Sequence, residues 1–381
     1  MLPKRFITLL CLVSLIVPTT LAKKKKRKHK PTEFSKCKGK KCTVENLFES
    51  DPFEASEVRV QLEEDGPFAH FSSKALKAAP GSKREWYGED DAGMFTMNLL
   101  EDENSFFGSA TVGDTVYSFS HIDDETVMIS TDINDYPPEG PSPDEDDALD
   151  GFENSTRSLV SSYEVGALRG QITEISDAEE PALNLNSSVR GEQNVMTPSD
   201  IGATSLRSEN DLRALSASPS ILDVMVVWTR NAECANAYQS KGCTLTDTTR
   251  KAILGRINLA VLETNVAFEN SGIEAKVNLI HAYLDASYTE QNTDAFRGAL
   301  NAITNPNDSL MDDVHVKREQ YGADMVHFMI DDDKLCGIAW LGPSKSRMFS
   351  VSSWQCATGY YSFGHELAHN MVSSCAFVLV F

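Results

Sequence analysis

Between residues 43 and 135 apolar and polar residues alternate in short runs, the period of strands with one buried face. Residues 105–112, 115–121 and 126–131 are the clearest, separated by Gly113-Asp114 and Asp123-Asp124, and they predict a β-meander. The alternation stops at Pro137-Pro138 and at the Pro- and Asp-rich stretch 141–150. Residues 151–219 are rich in Ser, Asn, Glu and Ala, which predicts a linker with one strand at 168–175. After Pro219 the texture changes: residues 221–228 form an apolar run suited to a buried strand. Thr246 or Asp247 can cap a helix in which Ile253, Leu254, Ile257, Val261, Leu262 and Val266 recur at helical spacing until Gly272. A strand at 274–284, helices at 294–303 and 311–321, and a strand at 325–330 complete the series. The predicted class is α+β overall: a β-rich first part, then an α/β half-domain with a mostly parallel twisted sheet and long helices.

The chain start modifies this picture. Lys4 and Arg5 precede an apolar stretch, residues 6–17, that is too short to span a bilayer, and Thr20-Leu21-Ala22 offers a cleavage site. Residues 1–22 therefore read as a secretory signal, which leaves no transmembrane segment in the product and predicts an extracellular protein. Residues 23–42 form a basic segment; as a tail it suits polyanionic glycans or lipid headgroups, a protease with basic preference, or plain solvation. Sequons at Asn154, Asn186 and Asn307 fit the same route.

Charge is distributed unevenly over the 381 residues. Residues 1–42 carry 13 bases against one acid, whereas residues 43–150 carry 5 bases against 27 acids. The total of −21 disfavours nucleic acid as a partner, because phosphates would be repelled. Three cysteine pairs are close in sequence, Cys37 with Cys42, Cys234 with Cys243 and Cys336 with Cys356, and make local disulfide candidates, although spacing does not fix connectivity. Cys375 is left over.

The chemistry concentrates in Gly364-His365-Glu366-Leu367-Ala368-His369-Asn370. Histidines at i and i+4 share one helix face, so His365 and His369 can reach one Zn²⁺. Glu366 is then placed to act as general base on a metal-bound water attacking a peptide carbonyl. Over about residues 220–371 the chain resembles the reprolysin-like (adamalysin-type) metzincin metalloproteases. The resemblance rests on the strand–helix order, on Cys336-Gly337-Ile338-Ala339-Trp340-Leu341-Gly342 and on the histidine helix. It implies a secreted zinc endopeptidase made as a zymogen, with protein or peptide substrates. It also implies that Gly337, Ile338, Ala339 and Trp340 form an edge strand along which a substrate backbone lies antiparallel. Residues 43–150 would be an acidic prodomain acting as an inhibitor in cis, and 151–219 the end of the propeptide, opened near Arg207 or Arg213.

Two departures complicate that implication. The pattern His-Glu-x-x-His-x-x-Gly-x-x-His has Val372 at its glycine and Cys375 at its third histidine, and an apolar tail follows. Cys375 is therefore either a thiolate ligand or an unpaired thiol, and residues 220–381 read as a catalytic domain truncated within its metal motif. Residues 43–219 contain no cysteine, so a cysteine-based latch is not expected and latency would be steric. The alternative reading is a vestigial secreted protein that binds through its acidic part or its basic tip.

Overall fold

The computed structural model describes residues 32–74, 83–143, 219–290, 293–342 and 344–371. The predicted signal, most of the basic segment, the linker with its strand at 168–175, Arg207, Arg213, Asn154, Asn186, Val372 and Cys375 lie outside these residues. Among the described residues no helix is long and apolar enough to cross a membrane.

The N-terminal part is one antiparallel sheet of nine strands: β1 (Glu33–Lys38), β2 (Lys41–Glu45), β3 (Glu57–Gln61), β4 (Phe68–Ser73), β5 (Arg84–Glu89), β6 (Thr96–Asp102), β7 (Ser105–Val112), β8 (Thr115–Ile122) and β9 (Glu125–Asp132). Strands β3 to β9 form a meander in sequence order, and the β1–β2 hairpin adds beside β9. The boundary expected at residue 42 therefore falls inside β2. The Cys37–Cys42 disulfide closes this hairpin, and Cys42 pairs with Met128 of β9. The sheet curls around a core that includes Val60, Phe71, Trp86, Met97, Leu99 and Phe119, one face of the alternating pattern.

The C-terminal part is a five-stranded sheet built from β10 (Ser220–Thr229), β11 (Ala275–Asp285), β12 (Met325–Ile330), β13 (Gly337–Ala339) and β14 (Phe349–Ser353). Its order is β11-β10-β12-β14-β13; the first four run parallel and β13 is antiparallel at one edge. Among the described residues five helices accompany it: α1 (Arg230–Asn236), α2 (Asp247–Asn270), α3 (Ala295–Thr304), α4 (Asp313–Tyr321) and α5 (Ser362–Met371). Residues of β10 alternate between the two layers. Met225 and Val227 pack with Phe296, Leu300 and Ile303 of α3, while Val224, Val226 and Trp228 pack with α2 and α5.

Helix α2 is buried on two sides, which explains its apolar positions beyond a single stripe. Ile253, Ile257 and Phe268 face the five-stranded sheet, and Leu259, Leu262 and Val266 meet Tyr87, Leu100 and Phe107 of the other. Its start is fixed by Thr246, whose hydroxyl accepts from Thr249 N–H while the Thr249 hydroxyl accepts from Thr246 N–H. Both sheets thus dock on one helix. The proline-rich segment after β9, read from composition as a break, instead crosses to the C-terminal part. Gly140 N–H donates to Gly337 O, and Cys336 N–H donates to Pro138 O.

Candidate metal centre

Helix α5 is held from three directions. Phe363 and Leu367 enter the core beneath the sheet, and Gly364 lies where a Cβ would meet Thr264 Oγ1 of α2 at 2.8 Å. His327, buried between the hydroxyls of Ser350 and Ser352 at 2.8 Å each, packs its ring edge on Phe363. Burial pushes His327 down to about 3, so it stays neutral and serves the packing. The Cys336–Cys356 disulfide ties the start of β13 to the loop leading into α5.

On this helix His365 and His369 bring their Nε2 atoms to 3.0 Å from each other. Two nitrogens on one tetrahedral zinc stand about 3.3 Å apart, given Zn–N bonds of about 2.0–2.1 Å. Burial, and then the charge of His369, press His365 down to about 4, which keeps it in the neutral, ligating form. With Glu366 the pair makes a group of potential donor atoms all within 4.8 Å. The two histidines thus fit one side of a zinc site. Glu366 is the third donor of that group among the described residues, and Cys375 lies outside these.

Glu366 is fully buried, and its carboxyl meets the half-buried Glu139 carboxyl in a shared hydrogen bond. Burial raises its pKa well above the ordinary carboxylate value, and the charge of Glu139 raises it further. The Glu366 carboxyl reaches up to β13, where a Cβ at Gly337 would stand 2.4 Å from Glu366 Oε1. Glycine at 337 therefore follows from close approach, a requirement the sequence reading did not assign to it.

The edge strand is shorter than expected: β13 ends at Ala339, and Trp340 lies beyond it. Trp340 donates from Nε1 to Thr304 Oγ1 at 2.8 Å and stacks under the Arg347 guanidinium, so its ring is held by the body of the domain. Asn370, quoted in the motif without a role, proves to be a clamp. Its Nδ2 lies 2.8 Å from Trp340 O, 3.1 Å from Arg347 O and 3.1 Å from Phe349 O, joining the end of α5 to the loop that follows β13. Replacing Asn370 by alanine leaves those carbonyls short of a donor and is expected to cost about 1–3 kcal/mol. A shift of the urea midpoint would register it, and an unshifted midpoint would mean that water replaces the amide at no loss.

Residues 254–374 match the reprolysin-like family of M12B metallo-peptidases. The match covers about a third of this chain. A peptidyl-Asp metalloendopeptidase of Stenotrophomonas maltophilia (strain R551-3) is 35% identical over 158 residues, covering 41% of this chain and 34% of that protein. One of the same name from Xanthomonas campestris pv. campestris is 34% identical over the same coverage. The chain thus spans about a third of the length of these relatives. Metalloproteinase-II from Bacteroides fragilis aligns over 83% of this chain and 80% of that one, at 11% identity and a TM-score of 0.39, too loose a likeness to carry weight. In the structure Cys37 is bonded to Cys42, Cys234 to Cys243 and Cys336 to Cys356.

Proposed function

We propose that the chain carries the catalytic half of a secreted zinc metalloendopeptidase, made as a precursor in which residues 43–150 are a prodomain. The observation that carries this reading is the convergence of His365 and His369 beside the buried Glu366 in the stretch similar to the reprolysin-like family. His365 and His369 would hold the zinc. A bound zinc supplies Lewis acidity, which makes water acidic near neutral pH and polarises a carbonyl. Glu366 takes the proton from the attacking water and passes it to the leaving amine. The edge of β13 would hold the peptide backbone by strand addition. The relatives' name suggests substrates with aspartyl residues, a preference proposed for this chain by similarity alone.

Secretion rests on the residue 1–22 pattern and agrees with the three disulfides and with an exposed Asn307 in its sequon. Metal analysis of the purified full chain tests the reading. One zinc per chain is expected, falling well below one in His369→Ala, together with cleavage of an unstructured protein by the zinc-loaded form. Folded protein that takes up no zinc would overturn it and favour the vestigial alternative.

A further inference from the structure

The connection 305–312 between α3 and α4 carries the sequon that falls among the described residues, Asn307-Asp308-Ser309, and both Asn307 and Ser309 are exposed. The turn is held by their neighbours: Asn305 Oδ1 accepts from Asn307 N–H at 3.1 Å, and Asp308 Oδ1 accepts from Leu310 N–H at 2.9 Å. The Asn307 amide and the Ser309 hydroxyl take part in neither bond. The two side-chain groups that the pattern requires are thus not spent on holding the turn. The connection also starts from a fixed point. Asn305 N–H closes α3 by donating to Asn301 O at 2.9 Å, and Thr304 Oγ1 accepts from Trp340 Nε1 at 2.8 Å. Asn307 follows Thr304 by three residues and so lies within about 11 Å of it.

We propose that Asn307 carries an N-linked glycan, seated on the rim of the domain beside Trp340, the residue that follows β13. The modification rests on the secreted reading, since it belongs to that route. In the attachment step Asn307 Nδ2 attacks C1 of an oligosaccharide carried on a lipid pyrophosphate. The Nδ2–C1 bond forms and the C1–O bond to the pyrophosphate breaks. The lipid pyrophosphate leaves with the electron pair, and Nδ2 gives up one proton. The folded chain accommodates the product, because Asn307 is exposed in a turn outside helix and strand and bulk there displaces no packed side chain. Leu310, 44% exposed and three residues on, offers the sugar rings an apolar side chain to rest on. Trp340 is half-buried, with its indole nitrogen bonded to Thr304 and the Arg347 guanidinium over its ring. A glycan rooted beside the end of α3 screens what these two contacts leave open.

Mass spectrometry of the full chain tests the site, with the protein made in eukaryotic cells and recovered from cells and medium together. An amidase that releases N-glycans in heavy-oxygen water turns each occupied asparagine into a labelled aspartate. Label at position 307 is expected in most chains, lost in Ser309→Ala and kept in Ser309→Thr, which separates enzymatic attachment from spontaneous deamidation. Unlabelled Asn307 in protein that is labelled at Asn154 or Asn186 would overturn the site and leave secretion standing. Label at none of the three would overturn the site and count against the secreted reading as well. Quenching of tryptophan fluorescence by acrylamide reads the placement, since the other three tryptophans, Trp86, Trp228 and Trp354, are buried. Quenching should be stronger in Ser309→Ala than in the unaltered chain, and the difference should vanish when both carry Trp340→Phe. Equal quenching with Asn307 occupied would overturn the place beside Trp340. Neither readout depends on zinc or on cleavage, so a failure of the peptidase reading leaves both intact.

Discussion

Glutamine at position 366 is expected to lower cleavage of an unstructured protein by the full chain about 10²- to 10⁴-fold while its zinc content stays unchanged. The change keeps the shape of the side chain and removes its ability to accept a proton, and the Glu139 carboxyl that faces it can accept from the new amide, so the contact survives. His365 and His369 stay in place because α5 is positioned by Phe363, Leu367 and the Asn370 clamp rather than by Glu366. Two measurements on one preparation decide the matter, metal content and initial rate. A variant that retains both zinc and full activity would remove Glu366 from the role of base. A variant that loses zinc would make Glu366 a ligand, which its place within the 4.8 Å donor group permits geometrically.

The elements that sequence predicts best are those whose pattern and ends are both explicit. Helix α2 begins one residue after Thr246 and ends just before Gly272, and β12 falls on residues 325–330 as expected. Strands β7, β8 and β9 match their runs because Gly113-Asp114 and Asp123-Asp124 form the turns between them. Strand β14 escaped notice because three of its five residues are serines. Ser350 and Ser352 are buried without penalty since His327 bonds both hydroxyls, a partnership that composition does not show. Helix α1 was hidden for a related reason: its Glu233 is buried and satisfied by Trp228, Thr249 and Arg250. The histidine pair was legible because i and i+4 fix it locally. The covering of β13 by residues 138–140 was not, because the prolines reveal an extended chain but not the surface on which it lies.

The docking of the two sheets is expected to weaken as pH rises from about 4.5 through 7. Glu263 of α2 lies wholly buried between them, accepting from the Ser109 hydroxyl of β7 and from Gly359 N–H at 2.9 Å. Burial raises its pKa to about 7, against the opposing pull of those two donors and of the Arg256 charge; Tyr136 and Tyr361 are the other titratable groups that sense it. A carboxyl whose pKa is higher in the folded state contributes its full stability below the unfolded value of 4.5, and that contribution is lost as pH climbs through 7. The loss amounts to about 3 kcal/mol at 1.36 kcal/mol per unit. Urea midpoints from pH 5 to pH 8 should therefore fall more steeply in the unaltered chain than in Glu263→Gln, which has no titratable group at 263, while Glu366 and Glu139, also raised by burial, give both proteins a common slope. Parallel slopes in the two proteins would mean that Ser109, Gly359 and Arg256 already stabilise the ionised carboxylate against its burial. A difference confined to the window between 4.5 and 7 would instead assign it to Glu263, because Tyr136 and Tyr361 are both pushed up by burial and do not titrate there.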